Sequence, residues 1–271
     1  MKIGTNTYTW LWNESLTNTV KIIGEYGFKG IEFLVAPPHF HLSEYRPGMY
    51  KEIKKIMKHY GMRVLSVNIP GLDINVASPF VEMRNMTLEQ YKRLTAVALE
   101  LEAEVLLIVP GKRHPLLPPD YEYIHSLALE TINKIIDYTK DTGLTLGVET
   151  VPAIFIDKVS QIKRLVKELD NERVKVVFDA ANVYMQEDPA KALLEFNKEE
   201  LCLLHLSDTK KSKWEHAPLG TGEVDTKAFI EAANKIEFDG YLALEVINDH
   251  GIKGIHESIE YLRAQGFKLE F

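Results

Sequence analysis

Only one cysteine, Cys202, occurs in 271 residues, and it lies in the apolar run LCLLHL. No internal disulfide can form, so the chain suits a reducing compartment, and the thiol is expected to pack as a small core side chain. Positive charge is also scarce: 32 Lys and Arg against 39 Asp and Glu give a formal charge of -7. Binding to nucleic acid or to an anionic membrane relies on clustered Lys and Arg, so the balance argues against both and favours a small-molecule partner. No apolar run approaches the roughly 18 residues of a membrane span. The stretch MKIGTNTYTW lacks the cationic start and apolar core of a secretory signal. A cytoplasmic location is therefore expected. There is no linker, low-complexity tract or sharp change of composition, so residues 1–271 read as one domain.

What the chain does contain is regular alternation. Strand-type runs occur at 2–6, 30–34, 63–69, 105–110, 144–150, 174–178, 201–206 and 241–246. Between them lie helical patterns at three- and four-residue spacing, such as Ile53, Ile56, Met57 and Tyr60, or Val159, Ile162, Leu165 and Leu169. Gly27, Gly61, Gly143 and Gly240 each stand just before a strand, where a preceding helix must stop. Eight βα units in this length predict an α/β protein with a single (β/α)8 TIM barrel. An open doubly wound sheet would carry a Gly-rich phosphate turn after its first strand, and none is present.

A barrel of this kind builds its active site from the C-terminal ends of its strands. The last four strands deliver Glu149, Asp179, His205 and Glu245 there, at intervals of about one βα repeat. One carboxylate ending a strand is ordinarily a solvated or helix-capping residue. Three that converge would repel one another strongly unless their pKa values rise or a cation sits among them. Three oxygen donors and one imidazole suit one divalent metal ion, Mn2+, Mg2+ or Co2+, better than a closed tetrahedral Zn2+ site, although Zn2+ stays an alternative. Asp179 is read as spare for this work, because Asp188 and Pro189 already make a good start for the next helix.

Earlier strands and loops on the same side supply further substrate-binding candidates. Asn6, Glu32 and Asn68 end strands one to three, and Trp10, Trp12 and His114 follow in loops. Aromatic faces pack against the C–H face of a sugar while polar tips select hydroxyls, so Trp10 or Trp12 is a candidate wall. Glu32 has an equal reading as a core-edge residue paired to a neighbour. Asn182 can bond a substrate hydroxyl or its own backbone, and Lys210 and Lys211 can meet an anionic group or simply be solvated. His39 and His41, in PPHFH, are assigned to a loop rather than a metal site.

At GEYGFKGIEF, GVET, FDAAN, LHLSDTK, PLGTGEVD and YLALEV, in that order, the chain resembles the xylose isomerase-like superfamily of TIM barrels, and within it the sugar and sugar-phosphate isomerases and epimerases. The resemblance implies that Glu149, Asp179, His205 and Glu245 hold the metal and that Glu149 and Glu245 act as an acid/base pair. Free-ketohexose 3-epimerases carry DxxH where this chain has Asp179 and Asn182. Pentulose-5-phosphate 3-epimerases, with DxGN, an HxKDTK-like segment and PxGxGxxD, are more similar. Free-sugar epimerases often place an Arg six positions past the metal His, where this chain has Lys211. His216 sits where related abasic-site endonucleases carry extra metal ligands, but their second loop histidine is absent, leaving it as a substrate contact or an exposed residue. Gly220 and Gly222 are expected to form a turn, and Asp225 to cap the next helix.

The implied chemistry is proton abstraction beside a ketone. A metal-stabilised cis-enediolate would accept its proton on the opposite face, giving epimerisation, or on the adjacent carbon, giving isomerisation. Dehydration or β-elimination of a polyol or glycoside begins with the same step and stays open. Nuclease action on damaged DNA is disfavoured by the acidic charge and missing histidine. A barrel that only binds sugar would leave the four-residue set without purpose. Dimers or tetramers are common in the group that the chain resembles.

Overall fold

The computed structural model describes residues 1–71, 73–152, 155–247 and 251–271. Its strands are β1 (Lys2–Asn6), β2 (Gly30–Leu34), β3 (Arg63–Asn68), β4 (Val105–Ile108), β5 (Thr145–Glu149), β6 (Val174–Asp179), β7 (Leu201–Leu206), β8 (Asp208–Lys210), β9 (Lys213–Ala217) and β10 (Tyr241–Leu244). All but β8 and β9 form a closed parallel barrel in the order β1-β10-β7-β6-β5-β4-β3-β2. Helices α1 (Leu16–Tyr26), α2 (Lys51–Tyr60), α3 (Val81–Leu101), α4 (Tyr121–Tyr138), α5 (Val159–Leu169), α6 (Ala180–Tyr184), α7 (Pro189–Leu193), α8 (Thr226–Lys235) and α9 (Ile252–Ala264) connect the strands. This is the TIM barrel expected from the alternation of short strands and amphipathic helices.

Each helix forms where its apolar stripe can cover the barrel. In α5 the stripe Val159, Ile162, Leu165 and Leu169 is buried, and Asp188 with Pro189 and Asp225 start α7 and α8 as their sequences foretell. Burying a side chain such as Leu165 stabilises the fold by roughly 1.5–3 kcal/mol relative to leaving it in water. Helices α1 and α2 end on left-handed Gly27 and Gly61. Gly240 was expected to play the same part, but the left-handed residue after α8 is Glu237, at φ 56°. That helix stops three residues further from the next strand than the glycine suggested.

Inside the barrel, Leu65, Leu107, Val177, Leu203 and Ala243 pack into one apolar layer. Strand residues two apart share a face. Asp179, His205 and Glu245 therefore rise directly above Val177, Leu203 and Ala243, and Glu149 above Gly147. The absence of a side chain at Gly147 is required: a Cβ there would lie 2.7 Å from both Val105 and Val177. The apolar layer is thus the floor on which the polar residues stand.

One element departs from expectation. The segment after β7, read as a loop, folds into an antiparallel hairpin of β8 and β9, with Asp208 opposite Ala217 and Lys210 opposite Lys213. Its alternation of polar and larger residues, TKKSKWEHA, is too short and charged to stand out as a strand pair. Among the described residues no helix is long and apolar enough to cross a membrane.

Candidate metal centre

Glu149 and Asp179 are the last residues of β5 and β6, His205 is the fifth of β7, and Glu245 follows β10 directly. Asp179 and His205 are register partners in the barrel ladder, which sets them at one height. All four are buried, and one ligand atom from each lies within 4.8 Å of the others. Nδ1 of His205 is the centre of the group, at 2.9 Å from Glu245 Oε2, 3.0 Å from Glu149 Oε1 and 3.7 Å from Asp179 Oδ2.

Burial pushes the Glu149 and Glu245 carboxyls above the ordinary carboxylate range. Burial acts on His205 in the opposite sense, but Glu32 and Glu245 hold its imidazole well above its usual value. Burial would also raise Asp179, yet His216 and His205 keep that carboxyl below its usual range. The raised values of the two glutamates and of His205 answer one problem, an excess of negative charge in a dry space, while Asp179 keeps its charge. The side chains leave room for a more direct answer. Asp179 Oδ2 and Glu245 Oε2 are buried and accept no hydrogen bond. A single Nδ1–H could satisfy only one of the three surrounding oxygens, so the donor set fits one metal ion with three carboxylates and an imidazole.

Asp179 does two jobs, against the expectation that it caps no helix. Its Oδ1 accepts the Asn182 N–H at 2.7 Å and starts α6, a helix too short to be legible in DAANVY. Only Oδ2 is left for the centre.

The centre opens into a cleft of about 870 Å3. Glu149, Glu245, Asn68, Asn182 and His216 line it, together with Tyr8, Trp12 and Trp214, and the rest of its wall is largely aliphatic. His216 is buried, with Nδ1 3.0 Å from Ser207 Oγ and 3.6 Å from Glu245 Oε2. Burial lowers its pKa against the pull of Asp179, and it flanks the four residues rather than lying exposed. Asn182 Oδ1 accepts from the indole Nε1 of Trp214 at 2.9 Å. Tyr8 bonds Asn68 through its hydroxyl, and burial, with Glu245, Glu32 and Glu149 close by, drives its pKa well up.

Other candidates are placed elsewhere. Glu32 lies away from the cleft lining, beside His205 and Ser66. Asn6 is buried and accepts the Tyr8 N–H through Oδ1, shaping the turn after β1. Trp10 is buried in the hydrophobic core, whereas Trp12 is 78% exposed and lines the cleft. His114 is exposed, and its Nδ1 accepts the N–H groups of Leu116 and Leu117. The hairpin carries Lys210 and Lys211 outward. Lys211 bonds the Tyr184 carbonyl and lies over the Tyr184 ring. No Lys or Arg lines the cleft among the described residues.

Two residues that support this region escaped the sequence reading. Tyr8 follows the end of β1 by two positions, where a cleft residue belongs, and Trp214 alternates with His216 on β9, but neither signal is specific. Asp208 was also passed over. Its carboxylate accepts four backbone N–H groups, from Thr209, Val224, Gly220 and Gly222, and folds the LGTGEV turn around itself.

A closed parallel barrel with a buried carboxylate and imidazole cluster at its C-terminal mouth defines the class. Residues 20–265 match the xylose isomerase-like TIM barrel model, and the chain belongs to that family. Uncharacterized protein MJ1311 of Methanocaldococcus jannaschii is 24% identical over 90% of this chain and 83% of its own length. A D-tagatose 3-epimerase-like protein superposes with a TM-score of 0.81 at 23% identity, covering 98% of this chain and all of that one. The IOLI protein, solved with a binding zinc atom, superposes with a TM-score of 0.83 at 16% identity, covering 99% of this chain and all of that one.

Proposed function

We propose that the protein is a divalent-metal-dependent isomerase or epimerase acting on a ketose. The observation that carries this reading is the pair Glu149 and Glu245, two buried carboxyl groups at the ends of β5 and β10, with β6 and β7 between them, that share one centre and both reach the cleft. A metal ion held by Glu149, Asp179, His205 and Glu245 would supply the positive charge that stabilises negative charge developing on the substrate oxygens. Burial makes each glutamate a stronger base than a solvated one, suited to taking a proton from carbon beside a carbonyl. One glutamate removes that proton and the other returns one. Delivery to the opposite face inverts the carbon, and delivery to the adjacent carbon interconverts ketose and aldose. Asn182 and His216 offer polar groups to hydroxyls, and the aliphatic walls keep bulk water from the exposed carbanion.

The cleft favours a free sugar over a sugar phosphate. A phosphate dianion would enter a space containing Asp73, Glu149 and Glu245 with no lining Lys or Arg among the described residues. The same acidity disfavours a nucleic-acid substrate. The chain's likeness to a D-tagatose 3-epimerase-like protein and to a barrel solved with a zinc atom supports the same chemistry.

The test is solvent deuterium exchange, followed by NMR, on ketopentoses, ketohexoses and their phosphates with Mn2+ present. Exchange at the carbon beside the carbonyl is expected with free ketoses, reversibly abolished by chelation, and lost in Glu149→Gln and Glu245→Gln. Exchange retained in either variant would remove the two-base assignment. Activity confined to cyclic polyols or glycosides would instead establish the elimination chemistry.

A further inference from the structure

His205 is held from both sides. Its Nδ1 faces Glu149, Asp179 and Glu245, while its Nε2 lies 3.1 Å from Glu32 Oε2. Ser66 Oγ donates to that same Glu32 oxygen at 2.6 Å. Glu32 and Ser66 are register partners on β2 and β3, and β1 and β10 separate β2 from β7 around the barrel wall. The contact with His205 therefore runs through the barrel interior. Glu32 is 2% exposed, does not line the cleft, and its other oxygen, Oε1, is buried without a partner.

Burying a polar oxygen such as Oε1 without a hydrogen-bond partner is costly, so the placement calls for a reason. What Glu32 can do for His205 is select a tautomer. An imidazole that binds a cation is neutral and has one N–H, and only the ring with its proton on Nε2 presents a lone pair at Nδ1. A carboxylate beside Nε2 accepts that N–H. The other tautomer would set two lone pairs, one on Nε2 and one on Glu32, against each other.

We propose that Glu32 is a positioning residue for the metal centre: seated by Ser66, it fixes His205 with Nε2–H toward itself and the Nδ1 lone pair toward Glu149, Asp179 and Glu245. This rests on the metal reading of the four residues above. Glu32 touches no substrate and is not a base in the reaction. Its effect is on how tightly and through which nitrogen His205 binds a cation, an effect of supporting carboxylates that is worth about 10–100-fold in metal affinity.

The test uses Mn2+ and Zn2+ alone, by isothermal titration calorimetry, with the melting temperature of the metal-free protein measured in parallel. Wild type should bind one ion. Glu32→Gln, of equal size, should bind about 10–100-fold more weakly with little change in metal-free melting temperature. Ser66→Ala should weaken binding in the same direction by less, and it keeps the proposal testable if Glu32→Gln fails to fold. Long-range 1H–15N spectra of the Zn2+-loaded wild type should show the His205 proton on Nε2. Equal affinity in wild type and in a folded variant, or a proton on Nδ1, overturns the role of Glu32 while leaving the metal reading intact. A variant that melts earlier but binds as tightly as wild type shows a merely structural carboxylate. Failure of the wild type to bind either ion overturns the metal reading itself, and Glu32's role with it.

Discussion

Asp179 and Asn182 are joined by a 2.7 Å hydrogen bond, backbone N–H of the second to Oδ1 of the first, that splits the work of one carboxylate between two places. Oδ1 caps α6, and Oδ2 is turned to His205 and His216 with no hydrogen bond of its own. The two functions separate by substitution. Asp179→Asn keeps an oxygen for the cap, because Asn and Asp cap equally well, but loses the charge. Its melting temperature without metal should stay near wild type, while metal affinity falls by at least the roughly 10–100-fold that supporting residues are worth. Asp179→Ala should lose metal binding too and, in addition, about 1 kcal/mol of stability for the cap. Urea unfolding and calorimetry on the two variants check this. Equal stability of the two would deny the cap any weight.

Metal removal should be visible without any substrate. An ion that binds the folded protein alone stabilises it by about 2.7 kcal/mol at a concentration 100 times its dissociation constant. For a chain of this size roughly 2–4 °C accompany each kcal/mol, so the melting temperature should rise by about 5–10 °C when Mn2+ is added to chelated protein. Here the expected gain has a structural source, three carboxylates crowded around Nδ1 of His205. Scanning calorimetry with and without EDTA measures it. No shift at millimolar Mn2+ would count against a resident cation.

Asp208 is a structural keystone rather than part of the chemistry. Its Oδ1 accepts from Thr209 and Val224 at 3.0 Å, and its Oδ2 from Gly220 at 2.9 Å and Gly222 at 2.8 Å. In Asp208→Asn one oxygen becomes an NH2 group that cannot accept, and two N–H groups of the turn, buried or partly buried, lose their partners. At about 1–3 kcal/mol each, the loss should move the urea midpoint clearly downward with an unchanged slope. Gly222→Ala should do comparable harm by another route, since a Cβ there meets the Asp208 carboxylate and the Thr209 carbonyl. Metal affinity in whatever fraction folds should be close to wild type, because Asp208 is not one of the four converging residues.

The fold was legible because its signals are local and repeated. Each strand is a short apolar run, each helix carries a stripe at helical spacing, and eight repeats leave few architectures. The four converging residues were legible for a related reason: in a parallel barrel, sequence position near a strand's end translates into height, so Glu149, Asp179, His205 and Glu245 announce one ring. Side-chain direction does not translate in this way. Trp10 and Trp12 lie on the same loop, yet one enters the core and the other lines the cleft. Lys210 and Lys211 follow a metal-centre strand, yet a three-residue strand turns them outward. Glu32, expected at the end of its strand, stands in the middle of β2, and its partner His205 is three strands away around the wall, so no spacing along the chain encodes their contact across the interior.

The hairpin that removes the lysines brings Trp214 to Asn182, and this pairing should govern substrate affinity. The indole N–H donates to Asn182 Oδ1 at 2.9 Å, so the amide oxygen is committed and Nδ2 is the end left for the cleft. Asn182 therefore presents a donor, and the substrate atom that it meets should be an acceptor, a carbonyl or a hydroxyl oxygen. Trp214→Phe keeps an aromatic ring against His216 but removes the N–H that fixes the amide. A hydrogen bond of this kind contributes about 0.5–1.5 kcal/mol, which corresponds to a KM increase of roughly 2–10-fold for the ketose identified by the exchange assay. The kcat should change little, because neither Trp214 nor Asn182 is among the residues assigned to move a proton, and metal affinity should not change at all. Asn182→Ala, which removes the donor outright, should raise KM further and with it the tolerance for a ketose deoxygenated at the contacted position. An unchanged KM in both variants would show that the amide faces the cleft without touching substrate, and the discriminating polar group would then be sought at His216 or Asn68.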